Sequence, residues 1–401
     1  MSALAVDQYS RFMTEMFDER DLISTTTVWQ SFFGRPEHGS QTVYSPNAQI
    51  VEIDIIRGNR KLAALIQRGI DARNISAKTG TVQEFSTFSR AYPLGEEKSP
   101  ITASQLNNRI AGEKPYESQA KIDRMRNLAL REHKEHMRRF VRTFEYMSGQ
   151  SLLTGKMPAI LDTKNTDLIY DFRRNADNTF SPTVAWSDAA SKPIDDIEAL
   201  YKRLLINGKV KANVVFMAED VLPVFLQNTQ VKDLANKFLY SLVNVSPNNP
   251  VPANLQPLVD GGATCRGMIQ TPSGYQFWLF SYVSVYEDNS GNVKDYMPSG
   301  TVFMAYYGAR ADRYFGPSEF LPVTPSKMAW YQEMFGFNMA APPMPPKVLN
   351  EGAVVSPLMF YNNAYEENLK NVNIITQTAP IFATTQTDAF GTLTSVLGGS
   401  E

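Results

Sequence analysis

The sequence has only one cysteine, Cys265, in 401 residues. A single thiol excludes an internal disulfide framework and any zinc site built from several cysteines. No stretch of about 18 apolar residues occurs, so a membrane span is not predicted. Residues 1–22 lack the basic start and apolar run of a secretion signal. These absences favour a protein of a reducing cytosol.

The chain also lacks an excess of charge. Lys and Arg number 39 against 41 Asp and Glu, which gives a net charge of −2. A dedicated nucleic-acid binder depends on excess positive charge, so this function is not indicated. Phosphate-binding loops of the G-x-x-x-x-G-K-[ST] or G-x-G-x-x-G type are absent, as are a G-x-S-x-G elbow and an H-E-x-x-H helix. No common enzyme motif is therefore available.

The composition that is present is that of a folded protein. Apolar residues make up 43% of the chain, which is ordinary for a globular protein. The length suits two to three domains. Aromatic residues at 11%, with 24 prolines and 23 glycines, indicate many strands and turns around few helices.

The strongest local pattern predicts one long helix over residues 119–153. Its three-and-four spacing makes a continuous stripe of apolar or small side chains: Ile122, Met125, Ala129, His133, Met137, Phe140, Phe144 and Met147. The helix would be about 50 Å long at roughly 1.5 Å per residue. Gly149 and Gly155 are interpreted as its fraying end. Eight basic residues away from the stripe predict a face for water, a neighbouring subunit or a polyanion.

Before this helix, two segments are predicted to need cover from elsewhere. Residues 7–18 form a short amphipathic helix, which docks onto its own domain or onto a neighbour. Residues 50–56 alternate as a strand with one buried face. Residues 57–93 then read as a polar, extended hairpin with a turn at residues 78–80. It has too few apolar residues for its own core and should project and lie on something else.

After the helix, residues 157–182 read as strands with a polar turn at 175–178. Residues 190–325 alternate helices and strands and predict one α/β domain, whose strand at 276–286 is apolar on both faces and central. Prolines at 342, 343, 345 and 346 predict a stiff connector. The strand-like segments beyond it have no helix of their own. We expect them to return to the first half of the chain, beside the long helix.

Three groups of residues could carry chemistry. Glu132, His133, Glu135 and His136 could clasp a metal on the long helix, but a matching motif from a second helix is missing, so ion pairs are favoured. Cys265 lies in an apolar strand and is interpreted as an inert packed thiol. Asp195 and Asp196 begin a helix, where negative charge complements the dipole. We therefore predict no catalytic, cofactor-binding or metal-binding residues and no cofactor.

The order of the pieces resembles the lambda-type major capsid proteins of tailed phages, which share the Hong Kong 97-type fold. The resemblance spans about residues 28–375, and no single motif decides it. Its main stretches, in order, are Phe32-Phe33-Gly34, Thr42-Val43-Tyr44, Val51 to Ile55, Leu62-Ala63-Ala64-Leu65-Ile66, Gly112-Glu113-Lys114-Pro115-Tyr116, Leu153-Thr154-Gly155-Lys156, Trp186-Ser187-Asp188, Val214-Val215-Phe216, Tyr307-Gly308-Ala309-Arg310 and Ser356-Pro357-Leu358-Met359.

The resemblance implies an α+β chain with five parts. They are an N-terminal arm (1–45), an extended β-hairpin loop with its base strands (46–115), a peripheral domain with the long spine helix (116–189), an axial α/β domain (190–328) and return strands of the peripheral domain (329–401).

The resemblance further implies a structural protein, not an enzyme, that self-assembles as pentamers and hexamers into the icosahedral shell of a phage head. It would be assembled in the host cytoplasm as a precursor and would mature as DNA enters. About 25 residues precede the match, which predicts a separate scaffolding protein. A decoration protein, the portal and nonspecific contact with packaged double-stranded DNA are further partners, with no membrane. Some relatives are cross-linked through a lysine near the loop tip, where Lys78 lies here.

Two alternatives stay open at this point. One is a soluble metal- or carboxylate-dependent enzyme centred on the long helix. The other is a non-viral nanocompartment shell of the same fold. The particle size in solution separates the enzyme from either shell.

Overall fold

In the computed structural model, the residues described are 27–45, 48–58, 83–102, 121–159, 168–237, 251–288, 291–317, 361–368 and 371–398. Every statement on the fold refers to them. The predicted helix at 7–18, the turn with Lys78 and the proline connector lie outside them.

The long predicted helix is present as α1, Lys121–Thr154, and is confirmed. Met137, Phe140, Phe144 and Met147 are all buried, as the stripe predicts; the side chains of Ile122, Met125, Ala129 and His133 lie outside the described residues. The helix ends where Gly155 adopts a φ of 73°, a left-handed conformation that glycine takes without strain.

The strand predicted at 50–56 is confirmed as β2, one half of a hairpin. The strands before α1 are β1 (Thr42–Tyr44), β2 (Ile50–Gly58), β3 (Gln83–Ala91) and β4 (Gly95–Thr102). β2 and β3 pair antiparallel from Ile50 opposite Ala91 to Gly58 opposite Gln83. Val51, Ile53 and Ile55 are buried, while Glu52 and Asp54 are exposed, because successive side chains point to opposite faces of a strand.

The segment after α1 contains the predicted alternation of helices and strands. Its helices are α2 (Pro193–Asn207), α3 (Val221–Gln227), α4 (Thr229–Lys237) and α5 (Gln256–Asp260). Its strands are β5 (Lys156–Ala159), β6 (Leu168–Asp171), β7 (Thr179–Phe180), β8 (Val214–Met217), β9 (Thr264–Gln270), β10 (Gln276–Ser281), β11 (Val285–Glu287), β12 (Val293–Asp295), β13 (Val302–Ala305) and β14 (Asp312–Phe315).

A six-stranded sheet forms the centre of this segment, in the order β7-β18-β13-β8-β10-β9, where β18 is Phe390–Leu393. All four residues of β8, of β13 and of β18 are buried, and these three strands lie next to one another in the sheet. The strand predicted at 276–286 is shorter than expected. It ends at Ser281 and lies one position from the edge, between β8 and β9.

The C-terminal strands pair with strands from earlier parts of the chain. Besides β18, they are β15 (Tyr361–Asn368), β16 (Asn371–Thr378) and β17 (Pro380–Ala383). β16 pairs antiparallel with β4 and contacts α1, which confirms the expected return beside the long helix. β17 and β18 also contact α1, but β17 pairs with β14 and β18 with β13, so these two strands join the segment that the sequence assigned to the α/β domain.

Residues 27–45 are packed into the same core. Val28, Trp29, Phe32 and Phe33 are buried, and β1 pairs parallel with β14. Phe32 contacts the rings of Phe303 and Phe390 at centroid distances of 6.1 and 6.4 Å. The beginning of the described chain, the end of α1 and the middle of the six-stranded sheet therefore share one core.

Candidate functional site

A buried carboxylate connects three parts of the fold. Glu145 of α1 is fully buried. Its Oε1 accepts hydrogen bonds from the backbone N–H of Trp29 at 2.8 Å and from the Tyr282 hydroxyl at 3.0 Å. Its Oε2 accepts from the Gln30 backbone N–H at 3.2 Å and from Gln30 Nε2 at 3.3 Å. We call Trp29, Gln30, Glu145, Gly149 and Tyr282 the joint.

The local sequence explains why the joint needs an acceptor. Trp29 precedes a 3₁₀ turn at Gln30–Phe32, and the first backbone N–H groups of a helical turn have no partner within it. Glu145 supplies that acceptor from a different element. The Gln30 side chain adds a bond from Nε2 to the Val141 carbonyl at 3.1 Å. The turn is thus fastened to α1 by both backbone and side chain.

Burial governs the electrostatics of the joint. Loss of solvent raises the pKa of Glu145 to about 7, while the four hydrogen bonds to the carboxylate oppose the rise. The same burial raises the pKa of Tyr296, as does the nearby Glu145 charge. The Glu145 carboxyl therefore titrates near neutral pH, well above the ordinary range of a glutamate.

Trp29 fills the space beneath the joint. Its ring contacts those of Phe216, Tyr282 and Phe303 at centroid distances of 5.2, 5.5 and 5.4 Å. A Cβ atom on Gly149 would lie 2.8 Å from Trp29 Cδ1. The interpretation of Gly149 as a fraying helix end is therefore wrong: it lies within α1, where only glycine leaves room for the indole.

We expect Gly149→Ala to destabilise the protein. In an open helix this change stabilises by about 1 kcal/mol, but overpacking against Trp29 should cost about 1–3 kcal/mol. Urea unfolding measures the difference. The matched control is Gly149→Ala in a Trp29→Leu background, where the smaller side chain should make the alanine neutral or stabilising. Equal effects in both backgrounds would contradict the steric explanation.

The C-terminus of α1 is held by a half-buried arginine. Arg174 Nη1 donates to the Leu152 carbonyl at 2.8 Å and Nη2 to the Leu153 carbonyl at 2.5 Å. The last carbonyls of a helix lack intrahelical partners, and a cation there also complements the helix dipole. Burial lowers the pKa of Arg174 to about 10, so the guanidinium stays charged at neutral pH.

Two members of the candidate metal cluster on α1 have other partners. His136 is buried between Ser99 and Thr376, whose hydroxyls lie 2.7 Å from Nε2 and 3.2 Å from Nδ1, and burial lowers its pKa. Glu135 faces the guanidinium groups of Arg138, Arg139 and Arg142 at 3.7–4.0 Å. The side chain of His133 lies outside the described residues. Within the described part of the chain, no three His, Cys, Asp or Glu residues are grouped as metal ligands.

The other candidates have structural partners. Burial raises the pKa of the Cys265 thiol, which makes the thiolate scarcer. Asp196 accepts a hydrogen bond from Trp186 Nε1 at 2.8 Å, and Asp195 accepts one from Gln230 Nε2 at 2.8 Å.

None of the helices among the described residues is both long and apolar enough to cross a bilayer.

Glu145 is not among the site residues predicted from the sequence, although the sequence contains a signal for it. Glu145 lies four residues after Val141 and four before Gly149, which places all three on one side of the helix. Val141 is buried. An isolated acid on a buried helix face requires a partner, but the partner is 115 residues away in sequence, and spacing alone cannot find it.

Comparison with known proteins gives one family. The model of the family described as phage major capsid protein E matches residues 10–329 of the chain. A search of curated proteins gave no match. Among solved structures, a protein described as a prophage capsid protein of E. coli CFT073 aligns with a TM-score of 0.59 at 14% identity, covering 98% of this chain and 99% of that one. The capsid of Ralstonia phage GP4 aligns with a TM-score of 0.42 at 12% identity, covering 90% and 87%.

Proposed function

Since the chain belongs to the phage major capsid protein E family, we propose that its copies form pentamers and hexamers that close into the icosahedral head shell of a tailed phage. The protein is a structural capsid component of the virion and not an enzyme. The metal- or carboxylate-dependent enzyme is thereby set aside. The family match over residues 10–329 is the observation that carries the proposal.

The fold is suited to a shell subunit. It is the mixed helix-and-sheet fold of a prophage capsid protein. The joint connects residues 29 and 30, α1 and Tyr282, which directly follows β10, through one buried carboxylate. A subunit whose parts share one core can pass strain from one contact to the next, because packed interiors transmit displacement.

We further propose the five-part division that the sequence suggested, with an arm at 1–45, a loop at 46–115, a peripheral domain at 116–189, an axial domain at 190–328 and return strands at 329–401. Hairpin β2–β3 supports a loop with base strands. In this division the arm is anchored by its residues 27–45, and the return segment contributes β18 to the axial sheet.

We propose the partners that a phage head shell requires for its assembly and for enclosing the genome. A separate scaffolding protein directs assembly in the host cytoplasm, the portal occupies one vertex, and a decoration protein binds the outside. Packaged double-stranded DNA touches the inner surface without sequence readout, through phosphate contacts with basic side chains. Maturation would then shift each subunit between two packings of the same contacts.

Electron microscopy of the full chain tests the shell. Expressed with its scaffolding partner, the protein should give closed particles of one size, and native mass measurement should show pentamers or hexamers before closure. A small oligomer under every condition would contradict the shell. Expressed alone, the protein should give irregular particles; uniform shells of the correct size would show that no separate scaffold is needed.

A further inference from the structure

A small hairpin carries an apolar surface that is exposed in the described part of the chain. Strands β11 and β12 pair with Val285 opposite Asp295, Tyr286 opposite Lys294 and Glu287 opposite Val293. Val283, Val285 and Val293 are 50%, 56% and 68% exposed. They are three of the eight exposed large hydrophobic residues in the described part of the chain. We call residues 283–288 and 291–295 the valine ribbon.

The ribbon has an inner and an outer face. Directly paired residues project to the same side of a two-stranded sheet, so Val285, Glu287, Val293 and Asp295 share the outer face. On the other side, the Tyr286 ring contacts Tyr146 of α1 at 4.9 Å and Tyr296 at 5.1 Å. The aromatic contacts hold the ribbon to the body, so the outer face is presented in a fixed position.

The outer face of the ribbon is acidic as well as apolar. The ribbon contains Glu287, Asp288 and Asp295 against one base, Lys294, so its net charge is −2 (three acids, one base). Lys294 projects to the opposite face from the two valines, where its side chain is 56% exposed and pairs with Asp288 at 2.9 Å. Glu287 and Asp295 therefore flank the two valines with no base beside them on that face.

A surface of opposite charge lies on the long helix. Residues 131–142 contain Arg131, Lys134, Arg138, Arg139 and Arg142 against Glu132 and Glu135, an excess of three positive charges (five bases, two acids). Arg138, Arg139 and Arg142 share Glu135, and their side chains are 42%, 54% and 48% exposed. Arg139 also pairs with Glu97 of β4 at 3.3 Å, and the bases still outnumber these acids. We call Arg131, Arg138, Arg139 and Arg142 the arginine face.

We propose that the valine ribbon of one subunit docks on the arginine face of a second copy of this chain. The inference rests on the proposed function, because a shell surrounds each subunit with identical copies. Opposite charges select the pairing, and burial of the valines supplies attraction that salt does not screen. Ribbon and helix face are different surfaces, so the contact is head-to-tail and can close a ring. One such contact can be weak, since each subunit makes several at once.

Paired substitutions test the apolar contribution. The double variant Val285→Thr with Val293→Thr keeps the branched shape suited to a strand and adds hydroxyl groups. We expect the concentration needed for shell assembly to rise about tenfold or more, with an unchanged unfolding midpoint of the subunit. The matched control, Ile206→Thr on α2, changes a side chain that is 67% exposed but lies outside the ribbon. It should assemble as the wild type does.

Cross-linking tests which surface the ribbon meets. In a Cys265→Ser background, a chain with Val293→Cys is assembled together with a chain carrying Arg138→Cys. A disulfide-linked dimer should form only when both chains are present, and a chain with Ile206→Cys in place of Arg138→Cys should give none. In assembled shells without a partner cysteine, Val293→Cys should be protected from a maleimide reagent.

The outcomes separate this inference from the proposed function. If the wild type forms no shell with its scaffold, the proposed function fails. If the wild type forms shells and the double threonine variant does so at the same concentration, only the ribbon contact is wrong. A cysteine at position 293 that stays reactive in finished shells would likewise overturn the contact, because the ribbon would then face solvent. Protection at position 293 without a disulfide to Arg138→Cys would also overturn it, because the ribbon would then meet a different surface.

Discussion

Replacing Met137 with proline should abolish shell assembly. Met137 lies in the middle of α1 and is 3% exposed. Proline removes a backbone hydrogen bond and clashes with the preceding turn, at about 3 kcal/mol or more. The kink would separate the first half of α1 from the half whose Phe144 contacts Phe315 and Phe382 at 6.0 and 5.5 Å. Particle yield by electron microscopy and helicity by circular dichroism measure the effect.

Met137→Leu is the matched control for this experiment. It keeps the apolar volume and the helical backbone, and such exchanges cost less than about 1.5 kcal/mol. Shells should therefore form at near wild-type yield. A proline variant that also reached wild-type yield would show that a continuous α1 is not required for assembly.

Removal of the Glu145 carboxylate should lower the stability of the subunit almost as much as Met137→Pro does. Glu145→Ala leaves the Trp29 N–H, the Gln30 N–H and the Tyr282 hydroxyl buried without their acceptor. Each unsatisfied donor costs about 1–3 kcal/mol, so the free energy of unfolding should fall by several kcal/mol. We expect the turn at Gln30–Phe32 to loosen first, which faster proteolysis or hydrogen exchange at residues 27–34 would detect.

The pH dependence of the free energy of unfolding should also reveal the Glu145 carboxyl. In the folded protein the pKa of Glu145 is about 7, above its ordinary value of 4.5. Between these two values the folded carboxyl keeps a proton that the unfolded chain has released. The folded state is therefore destabilised progressively as pH rises from about 4.5 to about 7, by a total of about 3 kcal/mol, and the effect is constant above that range.

Glu145→Gln should remove this dependence. Urea unfolding at pH 4.5 and pH 7.5, compared between wild type and variant, isolates Glu145 because all other groups cancel. His136 affects the wild type and the variant equally and in the opposite direction. Burial lowers its pKa in the folded state, so the free energy of unfolding falls as the pH drops below the pKa of about 6.5 that a histidine has in the unfolded chain. An identical pH profile for the wild type and Glu145→Gln would contradict the buried, near-neutral carboxyl.

Much of the fold was predictable because its signals are local. The three-and-four spacing of Met137, Phe140 and Phe144 predicts a helix. Likewise the alternation of Val51, Ile53 and Ile55 predicts a strand with one buried face. Pairing partners were harder to predict. β16 returns beside the long helix as expected, whereas β18 enters the six-stranded sheet, since buried apolar strands look alike and chain order does not select their neighbours.

The sequence by itself determined the long helix, the β2 strand, the helix–strand alternation and, through the order of its motifs, the kinship with phage capsid proteins. Each of these depends on residues close together in the chain or on their order along it. The tertiary structure alone decided the joint, the pairing partners of β17 and β18 and the exposure of Val285 and Val293. The physical reason is that burial, and with it the pKa of Glu145, is set by contacts between residues more than a hundred positions apart.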